Sequence, residues 1–125
     1  MKEAYCSYEI SKLLKDKGFD ECIFEFYVGD RIMYARNGEG FRLSELPDIY
    51  YPYITHQMAC AWLREKKYIS IVIDDEIPLS YKYIIKKYSI TELYKVEVFK
   101  LDSLPFVKYE DAVESAIKYC LENLI

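Results

Sequence analysis

Apolar side chains recur at helical spacing near the start of the chain. Over about residues 6–17, four positions follow the i, i+3, i+4, i+7 pattern of one helix face: Ile10, Leu13, Leu14 and Lys17. The aliphatic stem of Lys17 lies at the edge of this face. Ser7 has the side chain of an N-cap, and Gly18 is the expected left-handed stop. The pattern therefore predicts a first helix.

The same spacing predicts two more helices. The second runs from about His56 to Lys67, is capped by Thr55, and carries four residues on its apolar stripe: Met58, Ala59, Trp62 and Leu63. The last covers about residues 110–123 and has a longer stripe: Ala112, Val113, Ala116, Ile117, Cys120, Leu121 and Leu124. Acidic residues in the first turns of this helix complement its dipole.

Alternating positions predict a hairpin between the first two helices. Residues 23–28 and 31–36 flank Gly29-Asp30, and a two-residue turn with glycine first is typical of type II′. We predict that one face of this hairpin forms core: Phe24, Phe26, Met33 and Ala35. The other face is apolar enough to need a cover or a partner: Glu25, Tyr27, Ile32 and Tyr34.

The rest of the chain completes an α+β pattern. Strands are predicted over 69–74, 80–88 and 93–100, whereas 37–54 is a long connection that either serves a function or packs its tyrosines on the sheet edge. The element order α-β-β-α-β-β-β-α predicts an antiparallel sheet with three helices packed on one face. A length of 125 residues fits a single domain over 1–125.

Composition and charge narrow the function classes. Fourteen tyrosines are too many for a core of this size, and tyrosine suits protein interfaces. The net charge of −4 argues against nucleic acid and anionic membranes as partners. No apolar run approaches the ~20 residues that span a bilayer. Because the chain starts with polar residues rather than a signal peptide, we expect a cytoplasmic protein.

The cysteines and the sole histidine do not predict a reactive centre. Four cysteines stand far apart in the sequence: Cys6, Cys22, Cys60 and Cys120. Without a signal peptide we expect reduced thiols rather than disulfides. Because zinc needs close ligand pairs and the sequence has one histidine, we expect no metal site, and we expect no cofactor. Cys60 follows His56 by four residues, so both could share a helix face. A catalytic pair also needs an orienting group, and the sequence offers no candidate. We therefore expect a protein that is not an enzyme.

Three segments resemble a known family. They are AYCSYEISKLL at 4–14 with KGF at 17–19, THQMA at 55–59 with AWLRE at 61–65, and YEDAVESAI at 109–117. In that order and spacing they resemble a family of small uncharacterised proteins encoded by gut Bacteroidetes, their phages and mobile elements. The resemblance implies a phage or mobile-element setting and a compact cytosolic domain, and it carries over no catalytic residue. Lys108 stands where similar proteins carry a small capping residue.

Two candidate surfaces follow, and they belong to different function classes. The first is a protein interface made by the second hairpin face and the tyrosine-rich connection: Tyr27, Ile32, Tyr34, Tyr50 and Tyr51. The alternative is a phosphate or nucleotide clamp at the start of the second helix: Thr55, His56 and Gln57, with Tyr51 or Tyr53 stacked on a ring. The first choice predicts a non-enzymatic interaction or adaptor protein that forms a homodimer, with a host protein as the other candidate partner.

Overall fold

The predicted helices and antiparallel strands are present in the computed structural model, which describes residues 4–35, 38–89, 91–92, 95–100 and 105–125. The element order is α-β-β-β-α-β-β-β-α, and this confirms the α+β class. The described residues group into two compact units, Met1–His56 and Gln57–Ile125. Each unit has its own three-stranded sheet, so the expectation of one sheet is wrong. The single domain over 1–125 stays a prediction.

The first unit contains α1 (Tyr8–Asp16), β1 (Glu25–Val28), β2 (Arg31–Tyr34), a short 3-10 turn (Leu43–Glu45) and β3 (Tyr50–Pro52). Its antiparallel sheet has the strand order β2-β1-β3. Ser7 caps α1 as predicted, because its Oγ accepts a hydrogen bond of 3.3 Å from the Ile10 N–H. Gly18 follows with a φ of 93°, in the left-handed region that favours glycine.

Strand β3 corrects the predicted element order. The connection predicted over 37–54 contains the 3-10 turn and β3, and β3 pairs with β1 so that Tyr51 lies opposite Tyr27. Three residues that end in Pro52 are too short to show a strand period, and proline within a run argues against a strand. The pairing depends on a partner strand that is distant in sequence, so local patterning did not reveal it.

The hairpin has the predicted register, with Phe26 opposite Met33 and Val28 opposite Arg31. Gly29 has a φ of 63°. The described non-glycine residues with a positive φ are Tyr68 and Leu79, so Asp30 has a negative φ. This combination fits the type II′ turn.

The predicted core face of the hairpin is largely wrong. Phe26 is buried, but Phe24 is 52% exposed and Met33 is 44% exposed, whereas Ala35 is half-buried. Met33 belongs to the edge strand β2, all four residues of which are exposed, and Phe24 precedes the start of β1. Alternation assigns residues to a face of a sheet, but it does not say how far that face is covered.

The second unit contains α2 (His56–Lys67), whose first residue lies in the first unit, followed by β4 (Ile69–Ile77), β5 (Ser80–Tyr88), β6 (Val96–Lys100) and α3 (Tyr109–Asn123). The strands pair antiparallel in the order β4-β5-β6, and α3 packs against β4 and β5. Three residues of α2 are buried as predicted: Ala59, Trp62 and Leu63. Met58, at the edge of the predicted stripe, is exposed.

The remaining predicted boundaries shift by a few residues. Helix α3 begins at Tyr109, and Lys108 at its N-cap makes no side-chain capping bond. Of the strands predicted over 31–36 and 93–100, residues 36, 93 and 94 lie outside the described residues. In the described part of the chain, no helix is both long enough and apolar enough to cross a membrane.

Gly29→Ala should destabilise the protein, because a Cβ at a φ of 63° approaches the following carbonyl. The free energy of unfolding should fall by about 1–2 kcal/mol, measured by urea denaturation followed by circular dichroism. Asp30→Ala changes the neighbouring turn residue without the steric conflict and should stay within about 0.5 kcal/mol. Equal losses in both variants would contradict the assigned turn.

Candidate functional site

Five tyrosines of the first unit contact one another on one side of its sheet; we call them the tyrosine cluster: Tyr5, Tyr8, Tyr27, Tyr51 and Tyr53. The rings of Tyr5 and Tyr53 stack with centroids 4.2 Å apart and planes 11° apart. Tyr27 meets Tyr8 and Tyr53 edge-on at 5.5 and 4.8 Å, and Tyr8 meets Tyr51 at 5.4 Å. Both are geometries that aromatic pairs prefer, so the rings stabilise the unit itself.

Polar contacts fix this cluster to α1 and to the start of the chain. The Tyr27 hydroxyl donates a 2.9 Å hydrogen bond to the Cys6 carbonyl. The Lys15 ammonium lies 4.5 Å above the Tyr51 ring and donates to the carbonyls of Asp48 and Tyr50, the latter at 2.8 Å. One side chain thus holds α1 against the residues that lead into β3.

The register places four of the five predicted interface residues on one sheet face, with Tyr27 between Ile32 and Tyr51 and with Tyr34 further along β2. Tyr27 and Tyr51 are half-buried within the tyrosine cluster, which is the cover that the second hairpin face was predicted to need. Ile32 and Tyr34 lie on the edge strand β2, where they are 37% and 65% exposed. Tyr50 lies on the opposite sheet face together with Phe26, and the two rings meet edge-on with centroids 5.9 Å apart.

The outer edge of β2 carries backbone groups that no described strand pairs with. The Ala35 N–H donates to the Phe24 carbonyl at 2.7 Å, so Phe24 and Ala35 are a hydrogen-bonded pair of the antiparallel ladder. Bonded and non-bonded pairs alternate along an antiparallel ladder, so Met33 also bonds to β1. The N–H and C=O groups of Ile32 and Tyr34 consequently point away from β1, where an added strand could bind them.

An open groove of about 340 Å³ lies beside this edge in the first unit. Its lining is mostly apolar and aromatic: Phe26, Met33, Tyr34, Ala35, Glu39, Phe41, Leu46 and Tyr50. The volume falls within the roughly 300–1,000 Å³ of ligand sites. Met33 and Tyr34 belong to both the groove and the strand edge, so the two features form a continuous surface.

Specific contacts hold one wall of the groove, the segment 39–46. Phe41 and Ile23 exchange backbone hydrogen bonds of 2.9 and 3.0 Å. Both carboxylate oxygens of Asp20 accept from Ser44 at 2.8 Å, one from its N–H and one from its hydroxyl. These bonds, the backbone one above all, lower the pKa of the Asp20 carboxyl. Their stabilisation is present above the unfolded-state pKa and is lost as the pH falls through the lowered value.

Thr55 and His56, at the start of α2, have backbone partners within the first unit, to which both residues belong. The His56 N–H donates to the Ala4 carbonyl at 2.9 Å, and Thr55 is buried and bridged to Tyr5. His56 is half-buried and Gln57 is exposed. One face of the Tyr53 ring is covered by Tyr5. One amide and one aromatic face that the predicted clamp would use therefore have partners within the protein.

The thiols of the second unit have the properties of core cysteines. Burial raises the pKa of Cys60 to about 11 and that of Cys120 to about 12. A nucleophilic cysteine needs the opposite shift, toward the thiolate at neutral pH. Among the described residues no group of three or more histidine, cysteine or acidic side chains is placed to hold a metal ion.

Sequence reasoning missed the groove wall. Phe41 and Leu46 lie in the long connection, where no period assigns a residue to a face. Their position depends on the pairing of Phe41 with Ile23. The one usable signal was the length of the connection, since long connections are often functional.

Gly40→Ala should displace the groove wall, because a Cβ there would lie 2.7 Å from the Cys22 Sγ and 3.0 Å from the Ile23 carbonyl oxygen. We expect a loss of about 1–3 kcal/mol in the free energy of unfolding, measured by urea denaturation. Adding Cys22→Ala removes the sulfur but leaves the carbonyl, so the double variant should recover part of the loss. Strictly additive losses would show that the two residues do not touch.

Lys15→Met should destabilise the first unit by about 1–2 kcal/mol, because it removes two hydrogen bonds and the cation over the Tyr51 ring. The near-ultraviolet circular dichroism of the tyrosines during urea unfolding measures the change. Lys12→Met is the matched control, since this lysine of the same helix is exposed and its ammonium lies 5.3 Å from the centroid of the Tyr8 ring. It should change stability by less than about 0.5 kcal/mol, and an equal effect of both variants would argue against the bridging role of Lys15.

Comparison of the chain with protein-family models, with curated proteins and with solved structures gave no match. The likeness to proteins of gut Bacteroidetes and their phages thus stays an expectation from three sequence segments. In the first unit an exposed strand edge meets an apolar groove.

Proposed function

We propose that this chain is a non-enzymatic protein-interaction domain, and that it binds an extended segment of a protein along the edge of β2. The observation that carries the proposal is the strand itself. Ile32 and Tyr34 direct their backbone N–H and C=O groups away from β1, and all four residues of β2 are exposed. An extended segment that pairs there would satisfy these groups and add a fourth strand to the sheet.

The side chains of β2 support this reading. Edge strands are usually protected from pairing by charged side chains, by proline or by a bulge. Strand β2 has no proline and no register shift, and its one charged residue, Arg31, lies next to the turn. Three consecutive apolar or aromatic side chains follow it: Ile32, Met33 and Tyr34. An edge of this composition is suited to binding a strand.

The groove supplies what backbone pairing lacks, namely a preference for particular side chains. Alternate residues of an added strand point to opposite sheet faces, so every second one would lie on the face that carries Met33 and the groove. Backbone bonds give affinity in such complexes and side-chain pockets give selectivity. The mostly apolar lining favours apolar side chains, and Glu39 at the wall favours a basic neighbour.

The adaptor role in a phage or mobile element and the cytoplasmic location belong to the same proposal. They rest on the resemblance and on the sequence composition. The alternative of a phosphate or nucleotide clamp has less support, because the His56 amide and one face of the Tyr53 ring have partners within the first unit.

Amide hydrogen exchange tests the proposal directly. In dilute, isolated protein the Ile32 and Tyr34 amides should exchange quickly, and in the protein purified gently from its own host's lysate both should be protected by about tenfold or more. The Met33 amide, which bonds to β1, should be protected in both preparations. Ile32→Lys should abolish the added protection, since a charge on the edge opposes strand pairing.

Ile49→Lys is the matched control, because Ile49 is an exposed apolar residue of the same unit that lies outside the edge and the groove. This variant should keep the protection of Ile32 and Tyr34. If the two amides exchange equally fast in every preparation, the edge of β2 binds no strand and the proposed function is wrong.

A further inference from the structure

We infer that the strand bound along β2 is β2 of a second copy of this chain, paired antiparallel about a twofold axis at Met33. The inference rests on the proposed function and specifies its partner and register. The two sheets would join into one of six strands, in the order β3-β1-β2-β2-β1-β3. Closed twofold contacts of this kind, in which the same surface is used by both subunits, are the commonest in homo-oligomers.

Backbone geometry selects the register. The outward-facing residues of β2 are Ile32 and Tyr34, which flank Met33 symmetrically. An axis at Met33 places Ile32 of each copy opposite Tyr34 of the other, and this pairing satisfies all four outward groups of each strand. An axis at Ile32 would place Tyr34 opposite Asp30 in the turn, and an axis at Tyr34 would place Ile32 opposite residue 36, which lies outside β2. Only the axis at Met33 pairs both outward residues within the strand.

Side chains and charge favour the same register. On the groove face the two Met33 thioethers would meet at the axis, where a flexible apolar side chain adapts to its own copy. On the other face each Ile32 would pack beside a Tyr34, and aliphatic–aromatic cross-strand pairs are favourable. Arg31 would lie opposite Ala35, so the charged groups of the two strands would stand at opposite ends and would not repel each other.

The pairing would also complete the groove. Met33 lines the groove and is 44% exposed at the strand edge. In the pair, Met33 of the second copy would lie against this open side, so that each groove gains a wall from the other chain. The two grooves would meet at the axis and form one apolar channel, with Glu39 lining each half.

Cysteine cross-linking tests the register residue by residue. Partners in a non-hydrogen-bonded antiparallel pair have Cα atoms about 4.5 Å apart, within disulfide range. Met33→Cys should therefore form a covalent dimer with oxidised glutathione, in a Cys22→Ser background that removes the exposed native thiol. Ile32→Cys and Tyr34→Cys alone should cross-link about tenfold more slowly or less. A mixture of these two variants should give the mixed dimer.

The outcomes separate the inference from the proposed function. Native mass spectrometry should show twice the 14.9 kDa chain mass without cross-linking, and Ile32→Lys should return the protein to one chain. A dimer that cross-links through Ile32→Cys alone would overturn the register and leave strand addition intact. A monomer at all concentrations, with Ile32 and Tyr34 protected after purification from host lysate, would overturn the second copy and assign the edge to another protein. Absence of protection in both preparations would overturn both proposals.

Discussion

Backbone hydrogen bonding is the constraint on which the first unit depends. A buried backbone group without a partner costs free energy, so β1 is flanked on both sides, by β2 and by β3. The two edge strands, β3 and β2, differ in what lies beside their outer backbone groups. Strand β3 packs beside α1, whereas no described strand pairs with the outer backbone groups of β2. Within the described residues the edge of β2 is therefore open, and the groove lies next to it.

The high tyrosine content has a structural explanation as well as a functional one. Five tyrosines fill the space between the sheet of the first unit, α1 and the start of the chain; they are Tyr5, Tyr8, Tyr27, Tyr51 and Tyr53. Tyrosine suits this half-buried layer because its ring packs while its hydroxyl reaches a partner, as Tyr27 does at the Cys6 carbonyl. A change at Tyr27 or Tyr51 would therefore alter stability first, and exposed residues of β2 are better probes of binding.

Local signals in the sequence were enough for the helices and the hairpin. Ser7 and Gly18 marked the ends of α1, and Gly29 fixed the turn and therefore the pairing of Phe26 with Met33. Exposure and sheet membership depend on contacts between residues distant in sequence. For this reason alternation wrongly predicts Phe24 and Met33 as core residues, and the element order predicts one sheet where the structure has two.

The candidate site could be predicted in part for the same reason. The sequence predicts Ile32 and Tyr34 as interface residues because the second hairpin face is apolar enough to need a cover or a partner, and Tyr50 because it stands in a tyrosine group. Phe41 and Leu46 carry no local signal, since the groove wall exists only because Phe41 pairs with Ile23. A groove formed by a loop on a strand is a tertiary feature, and a single sequence does not encode it as a pattern.

The four edge strands of the two described sheets differ in the features that oppose the addition of another strand. Strand β3 is three residues long and ends in Pro52, which cannot donate to a ladder. Strand β4 shifts register between Asp74 and Ile77, and such an irregularity opposes continued pairing. Strand β6 carries Glu97 between Val96 and Val98. Natural sheets use these devices to avoid edge-to-edge association. Strand β2 has neither a proline nor a register shift, and it presents Ile32, Met33 and Tyr34 in a row, which is a composition suited to binding another strand.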